Sequence, residues 1–433
     1  MRPLVDGEKL ESSINQSTGE EVLTAAAACA LLDVKPATLY AYVSRGLIRS
    51  LRVGRARARL YVASDVRRVA TRAAARRGHG PVAAGALRWG EPVLESAITS
   101  VHAGVLAYRG VPVTRLVDDG VGFEAVAALL WQAAPAPWPA PRARAAHAPL
   151  PPVTAMLAAL PRLAAADPHP WLATVPNEQA RARALCVALA AATGARFARG
   201  DGLARALCRG LDVPLAHGAL VDAVLVAVAD HELNASTFAA RIAAGAGADL
   251  YACVGAALYT FTGARHGGAP ARIAAFLDDL PRQRVAAALR ARLAHGDGLP
   301  GFGHPLYPAG DPRTRVLLPL LPRATTAAGR RRLDHARAVI DAGHALTGEH
   351  PSLDYALVMV AAALGLAPAW AGGLFALGRC AGWIAHALEQ RASGGFLRPR
   401  ARYVGPPVTD PGASSSSSTA AGSGARWSDG SIK

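Results

Sequence analysis

Apolar residues return at helical spacing along most of the chain. Behind Thr24, the run LTAAAACALLDV predicts a helix capped by that threonine. KPATLYAYVSRGLI predicts a second helix, with Pro36 at an early position and Gly46 as its C-cap. LRVGRARARLYV reads as a short hairpin or wing, and ASDVRRVATRAAARR as a third helix capped by Ser64. Gly78 to Ala86 reads as a linker, and Ala134 to Pro152, rich in Ala and Pro, as a surface loop. From Val153 to Tyr355 helical periodicity dominates, without a strand pattern or an internal repeat. Tyr355 to Gly378 holds no charged residue and is long enough to cross a bilayer. Gly365, Pro368, Gly372 and Gly373 interrupt it, so it predicts two buried helices joined by the LGLAP turn. The first twenty residues are polar without an apolar h-region, which argues against a signal peptide and for a cytoplasmic protein. The Ser-rich run beyond Pro407 has the composition of disorder.

Composition changes that picture in two places. A chain of 433 residues, 52% hydrophobic and 18% charged, has room for two or three helical domains. Its net charge of +16 comes almost wholly from arginine, and the distribution is uneven. Between Arg45 and Arg77 eleven arginines stand against the single acid Asp65, a concentration suited to phosphate contacts. A solvated basic face, or a surface for docking a protein partner, is the plainer alternative. Cys29, Cys186, Cys208, Cys253 and Cys380 are odd in number and lack C-x-x-C spacing, which points to reduced thiols and no metal site.

Four polar clusters interrupt the apolar background: Asp230–Thr237, Arg265–Pro270, Pro300–Tyr307 with Asp311-Pro312-Arg313, and Pro351–Tyr355. Histidine is the side chain most easily set to move a proton near neutral pH. His266 and His304 adjoin glycines, where backbone can approach a ligand closely. Asp354 lies in an apolar segment, where a carboxylate tends toward a raised pKa and can serve as a base. Arginine forks fit carboxylates. Together these groups suit proton abstraction beside a carbonyl with a polycarboxylate held alongside. Taken singly, each histidine reads as a turn or a satisfied core group, and Asp354 as a helix N-cap.

HELNAST, RHGGA, PGFGHPLY with DPR, PSLDY, FALGRCAGWIAH and LRPRARYVG resemble, in order and spacing, the motifs of the citrate synthase family, over about Leu87 to Pro407. The resemblance implies a mainly α fold of large and small helical domains, the small one at roughly 268–375 within a domain spanning 87–408. It implies condensation of acetyl-CoA with oxaloacetate, with acetyl-CoA as co-substrate and no permanently bound cofactor. Asp354 would then take the methyl proton, His266 would stabilise the enolate, and His304 would polarise the ketone. His231, Asn234, Arg313, Arg379 and Arg398 would hold oxaloacetate, Arg398 from the other subunit of a homodimer. The sequence departs from the family at Ser352, Ala356, Pro270 and Pro305. The last removes a basic residue suited to CoA phosphates and leaves CoA affinity open.

Residues 21–77 resemble the winged helix-turn-helix of MerR and excisionase proteins, most specifically in TLYAYVSRGLI. That resemblance implies double-stranded DNA as partner, with Tyr40, Tyr42, Arg45, Arg52, Arg55, Arg57 and Arg59 as contacts. Three function classes follow. They are a citrate or 2-methylcitrate synthase, a DNA-binding regulator whose synthase domain senses a ligand without turnover, and a bifunctional protein.

Overall fold

The structure is a computed structural model that describes residues 12–14, 21–32, 34–45, 47–52, 59–76, 94–141, 150–321, 327–399 and 405–406. It divides into two compact units, Met1–Leu94 with Pro399–Lys433, and Glu95–Arg398.

In the first unit, strands β1 (Ser12–Ile14) and β2 (Glu21–Leu23) lead into helices α1 (Ala25–Leu32) and α2 (Pro36–Ser44). Strands β3 (Ser50–Arg52) and β4 (Arg59–Val62) and helix α3 (Ala63–Arg76) follow. The antiparallel sheet has the order β1-β2-β4-β3. Thr24 caps α1, its Oγ1 accepting the Ala27 amide at 3.2 Å, and Pro36 occupies the first turn of α2. Leu23, Ala28, Leu32, Leu39, Ile48, Tyr61 and Val66 close a core between sheet and helices. Within the first twenty residues, Ser12–Ile14 pairs with Glu21–Leu23. One expectation needs amendment. Ser64 is not a cap, because α3 starts at Ala63 straight off β4. Asp65, the lone acid, is buried and accepts both the amide and the Nε of Arg49, at 3.0 and 2.8 Å. Gly46, the Gly78–Ala86 linker and the Ser-rich tail lie outside the described residues.

The second unit opens with a three-stranded meander, β5 (Thr99–His102), β6 (Val105–Tyr108) and β7 (Val111–Pro112). Periodicity gave no sign of it. Its two turns, Ala103-Gly104 and Arg109-Gly110, have positive φ at both central residues, the type I′ geometry that matches strand twist. Neither carries the Asn-Gly or Asp-Gly pair that marks such a turn in a sequence. Helices α4 (Val113–Asp118), α5 (Phe123–Trp131), α6 (Pro152–Ala165), α7 (Val175–Ala192), α8 (Leu203–Gly210) and α9 (Gly218–Ala227) follow. Then come α10 (Ala235–Gly245), α11 (Leu250–Phe261), α12 (Ala269–Asp279), α13 (Val285–Ala294), α14 (Pro312–Leu317) and α15 (Ala327–Thr347). Last are α16 (Leu353–Ala363) and α17 (Ala369–Ser393). The segment from Ala134 to Pro141 is irregular, and its Trp138 stacks on Trp131 at 5.9 Å.

At 25 residues α17 is about 37 Å long and packs against α5, α6, α7, α9, α10, α11, α12 and α16. Such a central helix must be apolar all round, and it buries Leu374, Leu377, Cys380, Trp383 and Ile384 together. The uncharged stretch from Tyr355 therefore reads as predicted, as α16 and the start of α17 joined at Leu364–Pro368. Among the described residues no helix is long and apolar enough to cross a membrane. Helices α12, α13, α15 and α16 pack against one another.

Candidate active site

One face of α17 builds half of the site. Residues 379, 382, 383 and 386 recur at the three- and four-residue steps that share a helix face. Arg379 Nε donates to the Val228 carbonyl at 2.6 Å, and the Gly382 amide to Ala229 at 2.9 Å. Trp383 Nε1 donates to Ser236 Oγ at 3.1 Å, and His386 Nε2 meets Asp230 Oδ2 at 3.3 Å. Position 382 must be glycine, because a Cβ there would collide with the Asp230 carboxylate and the Ala229 carbonyl. The stretch from Val228 to Ser236 is thus tied to a buried helix at four points.

Within that stretch Asp230 is fully buried. Burial would raise its pKa, but His386 and Arg379 beside it hold the carboxyl below its ordinary value. Its Oδ2 accepts the Glu232 amide at 3.0 Å and supports the left-handed backbone at Glu232, φ 55°. His231 projects between these anchors, with Nε2 2.8 Å from the Tyr307 hydroxyl. Asn234 caps α10, its Oδ1 accepting the Thr237 amide at 3.1 Å, while its Nδ2 is buried without a partner among the described residues.

Two loops bring up the other half. Phe302 and Pro351 form an isolated antiparallel bridge, the Gly303 amide donates to His350, and the Ser352 amide donates to Gly301. This pairing joins the GFGH turn to the start of α16. His304 stacks near Tyr307 at 5.0 Å and faces His231 edge-on at 5.7 Å. Its Nδ1 accepts the Leu306 amide at 3.2 Å, so the ring proton sits on Nε2. Ser352 holds the N-cap position of α16, so Asp354 lies inside the first turn and is not the cap. Asp354 makes no hydrogen bond or ion pair with a described residue. Burial raises its pKa to about 6, against the pull of Arg313 and Arg379.

His266 sits where Gly267 presses on Phe261, whose ring meets the imidazole edge-on at 5.3 Å. Its Nε2 lies 2.8 Å from Ser236 Oγ, which also donates to Asn234 Oδ1 at 2.7 Å. Burial and then Arg379 lower His266 to about 4. Burial also lowers His231, helped by Arg313 and Arg379, and lowers His304, helped by Arg313 against Asp311. All three imidazoles are therefore neutral at pH 7, single N–H donors rather than cations.

The arginines differ in how free they are. Arg313 is buried, and Asp311 takes its Nε and Nη2 at 2.9 and 2.6 Å, so Nη1 is the nitrogen left over. Asp311 itself stays below its ordinary value, because Arg313 outweighs the effect of burial. Arg379 is 1% exposed, lies over the Phe375 ring at 4.5 Å and keeps Nη2 without a partner among the described residues. Burial pulls it down to about 10. Arg398 is exposed beyond α17 and forms no hydrogen bond or ion pair with a described residue.

The structure thus gathers His231, Asn234, His266, His304, Arg313, Asp354 and Arg379 and leaves Arg398 outside. Sequence reading passed over Ser236, Tyr307, Trp383 and His386. The last two stand four and seven residues after Arg379, a helical spacing that could have shown them. Of the residues expected on DNA, Tyr40 is 54% exposed, and Arg45 and Arg59 are also on the surface. Tyr42 instead packs partly into the core of the N-terminal unit. The side chain of Arg52, and Arg55 and Arg57 altogether, lie outside the described residues.

Neutral imidazoles, a raised carboxylate and buried arginines thus stand together within a mainly helical unit. The chain belongs to the citrate synthase family: residues 86–400 match the family described as "Citrate synthase, C-terminal domain". It is 38% identical over 211 residues to "Putative citrate synthase 2" of Mycobacterium tuberculosis, covering 45% of this chain and 53% of that protein. It is 34% identical over 186 residues to "Citrate synthase 2" of Bacillus subtilis, covering 42% and 50%. It is 30% identical over 194 residues to "2-methylcitrate synthase" of Shewanella oneidensis, covering 44% and 51%. The chain spans about half the length of the curated relatives it matches. Its fold is similar to the citrate synthase of Thermoplasma acidophilum in a ternary complex with carboxymethyl coenzyme A and oxaloacetate. There the TM-score is 0.64 and the identity 22%, with 74% of this chain and 95% of that one covered.

Proposed function

We propose that the chain condenses acetyl-CoA with oxaloacetate to give citrate and CoA. The observation that carries this reading is Asp354, a carboxylate unpaired among the described residues, raised to about 6 and facing the fields of Arg313 and Arg379. As a base it takes a proton from the thioester methyl group. If Ser236 turns its one hydroxyl proton from Asn234 Oδ1 to Nε2, His266 holds its own proton on Nδ1 and donates it to the thioester oxygen. His304, with its proton on Nε2, polarises the ketone of oxaloacetate. The enol carbon attacks that ketone carbon, and water then hydrolyses the citryl thioester. Arg379 Nη2 and Asn234 Nδ2, both buried and unpartnered, are donors awaiting the dicarboxylate, with Arg313 Nη1 and His231 beside them. Arg398 completes the site from a second copy of the chain. Pro270 fits the first turn of α12, while Pro305 is exposed and brings no charge to the CoA phosphates.

Thiol release from acetyl-CoA and propionyl-CoA, each with and without oxaloacetate, tests the reading. No oxaloacetate-dependent release from either sinks it. A clear preference for propionyl-CoA makes the protein a 2-methylcitrate synthase, the activity named for the Shewanella relative.

A second reading concerns the N-terminal unit, taken as a MerR-like winged helix-turn-helix that binds double-stranded DNA. Its order of helix, helix, hairpin and helix supports this, as do Tyr40 and Arg45 exposed on and beside α2. Fluorescence anisotropy with a duplex at two salt concentrations is the test, since phosphate contacts make affinity fall steeply with salt. No binding at low salt rules it out.

A further inference from the structure

His231 stands in a stretch of backbone that has to be held. Glu232, the residue after it, has φ 55°, a left-handed conformation that costs a non-glycine residue free energy and persists only where its surroundings impose it. Asp230 imposes it, its Oδ2 accepting the Glu232 amide at 3.0 Å. What orients Asp230 lies deeper, in a chain of buried polar groups that the condensation leaves unused. His386 on α17 is buried, and its Nε2 lies 3.3 Å from Asp230 Oδ2. Its Nδ1 lies 3.3 Å from Nη1 of Arg241, which is also buried. A guanidinium only donates, so Nδ1 accepts and the ring proton stands on Nε2, aimed at the carboxylate. Arg241 is fixed in turn by the last turns of α17. Its Nη1 donates a second proton to Glu389 Oε2 at 2.7 Å, and its Nε donates to Gln390 Oε1 at 2.9 Å. Glu389 Oε1 accepts the Ala97 amide at 2.9 Å, which anchors the outer end of the chain. Arg241 belongs to α10, the helix that Asn234 caps. His231 is thus clamped on both sides, before it through Asp230 and His386, and after it through α10 and Arg241.

We propose that His386 is a positioning residue for oxaloacetate: it sets His231 through Asp230, and Arg241 fixes the tautomer that lets it do so. The proposal rests on His231 holding the dicarboxylate, as read above. It separates His386 from a residue that merely fills the core. A tie that only stiffened the fold would lower the melting temperature and the number of binding-competent chains, and leave the affinity of each folded chain alone. A positioning residue changes that affinity, because a displaced imidazole no longer meets the substrate.

Isothermal titration of the full chain with oxaloacetate, beside thiol-release kinetics, provides the test on His386→Leu, His386→Asn and His386→Gln. Leucine can neither donate to Asp230 nor accept from Arg241. The dissociation constant and KM for oxaloacetate should rise at least about tenfold, with the KM for acetyl-CoA unchanged. Asparagine, a methylene shorter than glutamine, cannot span both partners and should weaken binding likewise. Glutamine can donate to Asp230 and accept from Arg241 at once, so it should restore affinity to within about threefold of the parent. Unchanged affinity in folded His386→Leu, an equal loss for both substrates, or a glutamine variant no better than leucine would each overturn the proposal. If His386→Leu does not fold, glutamine against asparagine decides, and equal affinities overturn it. A parent that binds no oxaloacetate sinks this proposal and the condensation together. A parent that binds it yet releases no thiol sinks the condensation alone, and the dissociation constants of the variants still decide.

Discussion

Asp354 serves its proposed role because its carboxylate is uncomfortable. Its pKa of about 6 places the ionised base above that pH, so turnover should rise with pH through about 6. Asp354→Asn should lose ~10²–10⁴-fold in turnover while calorimetry shows oxaloacetate still bound. Stability should move the other way. The folded chain holds this proton more tightly than the unfolded one, so stability declines as pH rises from about 3.8 to about 6. Above that window the full cost is present, up to about 3 kcal/mol. Asp354→Asn should therefore melt higher than the parent at pH 7.5 and alike at pH 3.5. Equal melting at pH 7.5 would show that the carboxylate is not held against its preference. Ser236 bears on the second imidazole. Ser236→Ala removes the hydroxyl beside His266 Nε2, so turnover should fall at least tenfold with the oxaloacetate requirement little changed. A rise in that requirement with turnover intact would place Ser236 in substrate binding instead.

Helix α17 is the element on which the site depends, and much of that was legible. Its apolar run, its interrupting glycines and the Arg379 motif are plain in the sequence. Apolar periodicity reports which face is buried, however, and not which loop that face will grip. The four contacts to Val228–Ser236 join positions far apart in the chain, Trp383 to Ser236 at 147 residues and His386 to Asp230 at 156. The bridge from Phe302 to Pro351 is hidden for the same reason, being two loops that pair outside any strand. The β5–β7 meander was missed because Ala103-Gly104 and Arg109-Gly110 adopt type I′ turns without the usual residues. Gly382→Ala tests the grip. The added methyl meets Asp230 and should cost ~1–3 kcal/mol, read as a lower urea midpoint at unchanged slope. Turnover should fall with it, since His231 follows Asp230 directly; a stable Gly382→Ala chain with full activity would detach the helix from the chemistry.

At the scale of the whole molecule the open question is what completes the site. Arg398 is exposed within one chain, so the proposed assembly needs two. Inactive Arg398→Leu and inactive Asp354→Ala subunits, mixed and allowed to exchange, should recover part of the activity. No recovery in verified mixed dimers would mean that each chain builds its own site.

The unpartnered donors, Arg379 Nη2 and Asn234 Nδ2, reach beyond catalysis. A protein that keeps such groups buried and unsatisfied is at its least stable when empty. A dicarboxylate that satisfies them stabilises the folded chain by mass action, about 2.7 kcal/mol at a hundredfold excess over its dissociation constant. A melting temperature that climbs with oxaloacetate concentration would report this directly, and a flat one would leave the orphan donors without a purpose. Because proteases remove the unfolded fraction, the lifetime of the polypeptide would then follow the supply of its substrate. A cell short of the dicarboxylate would carry less of the protein without any change in its synthesis.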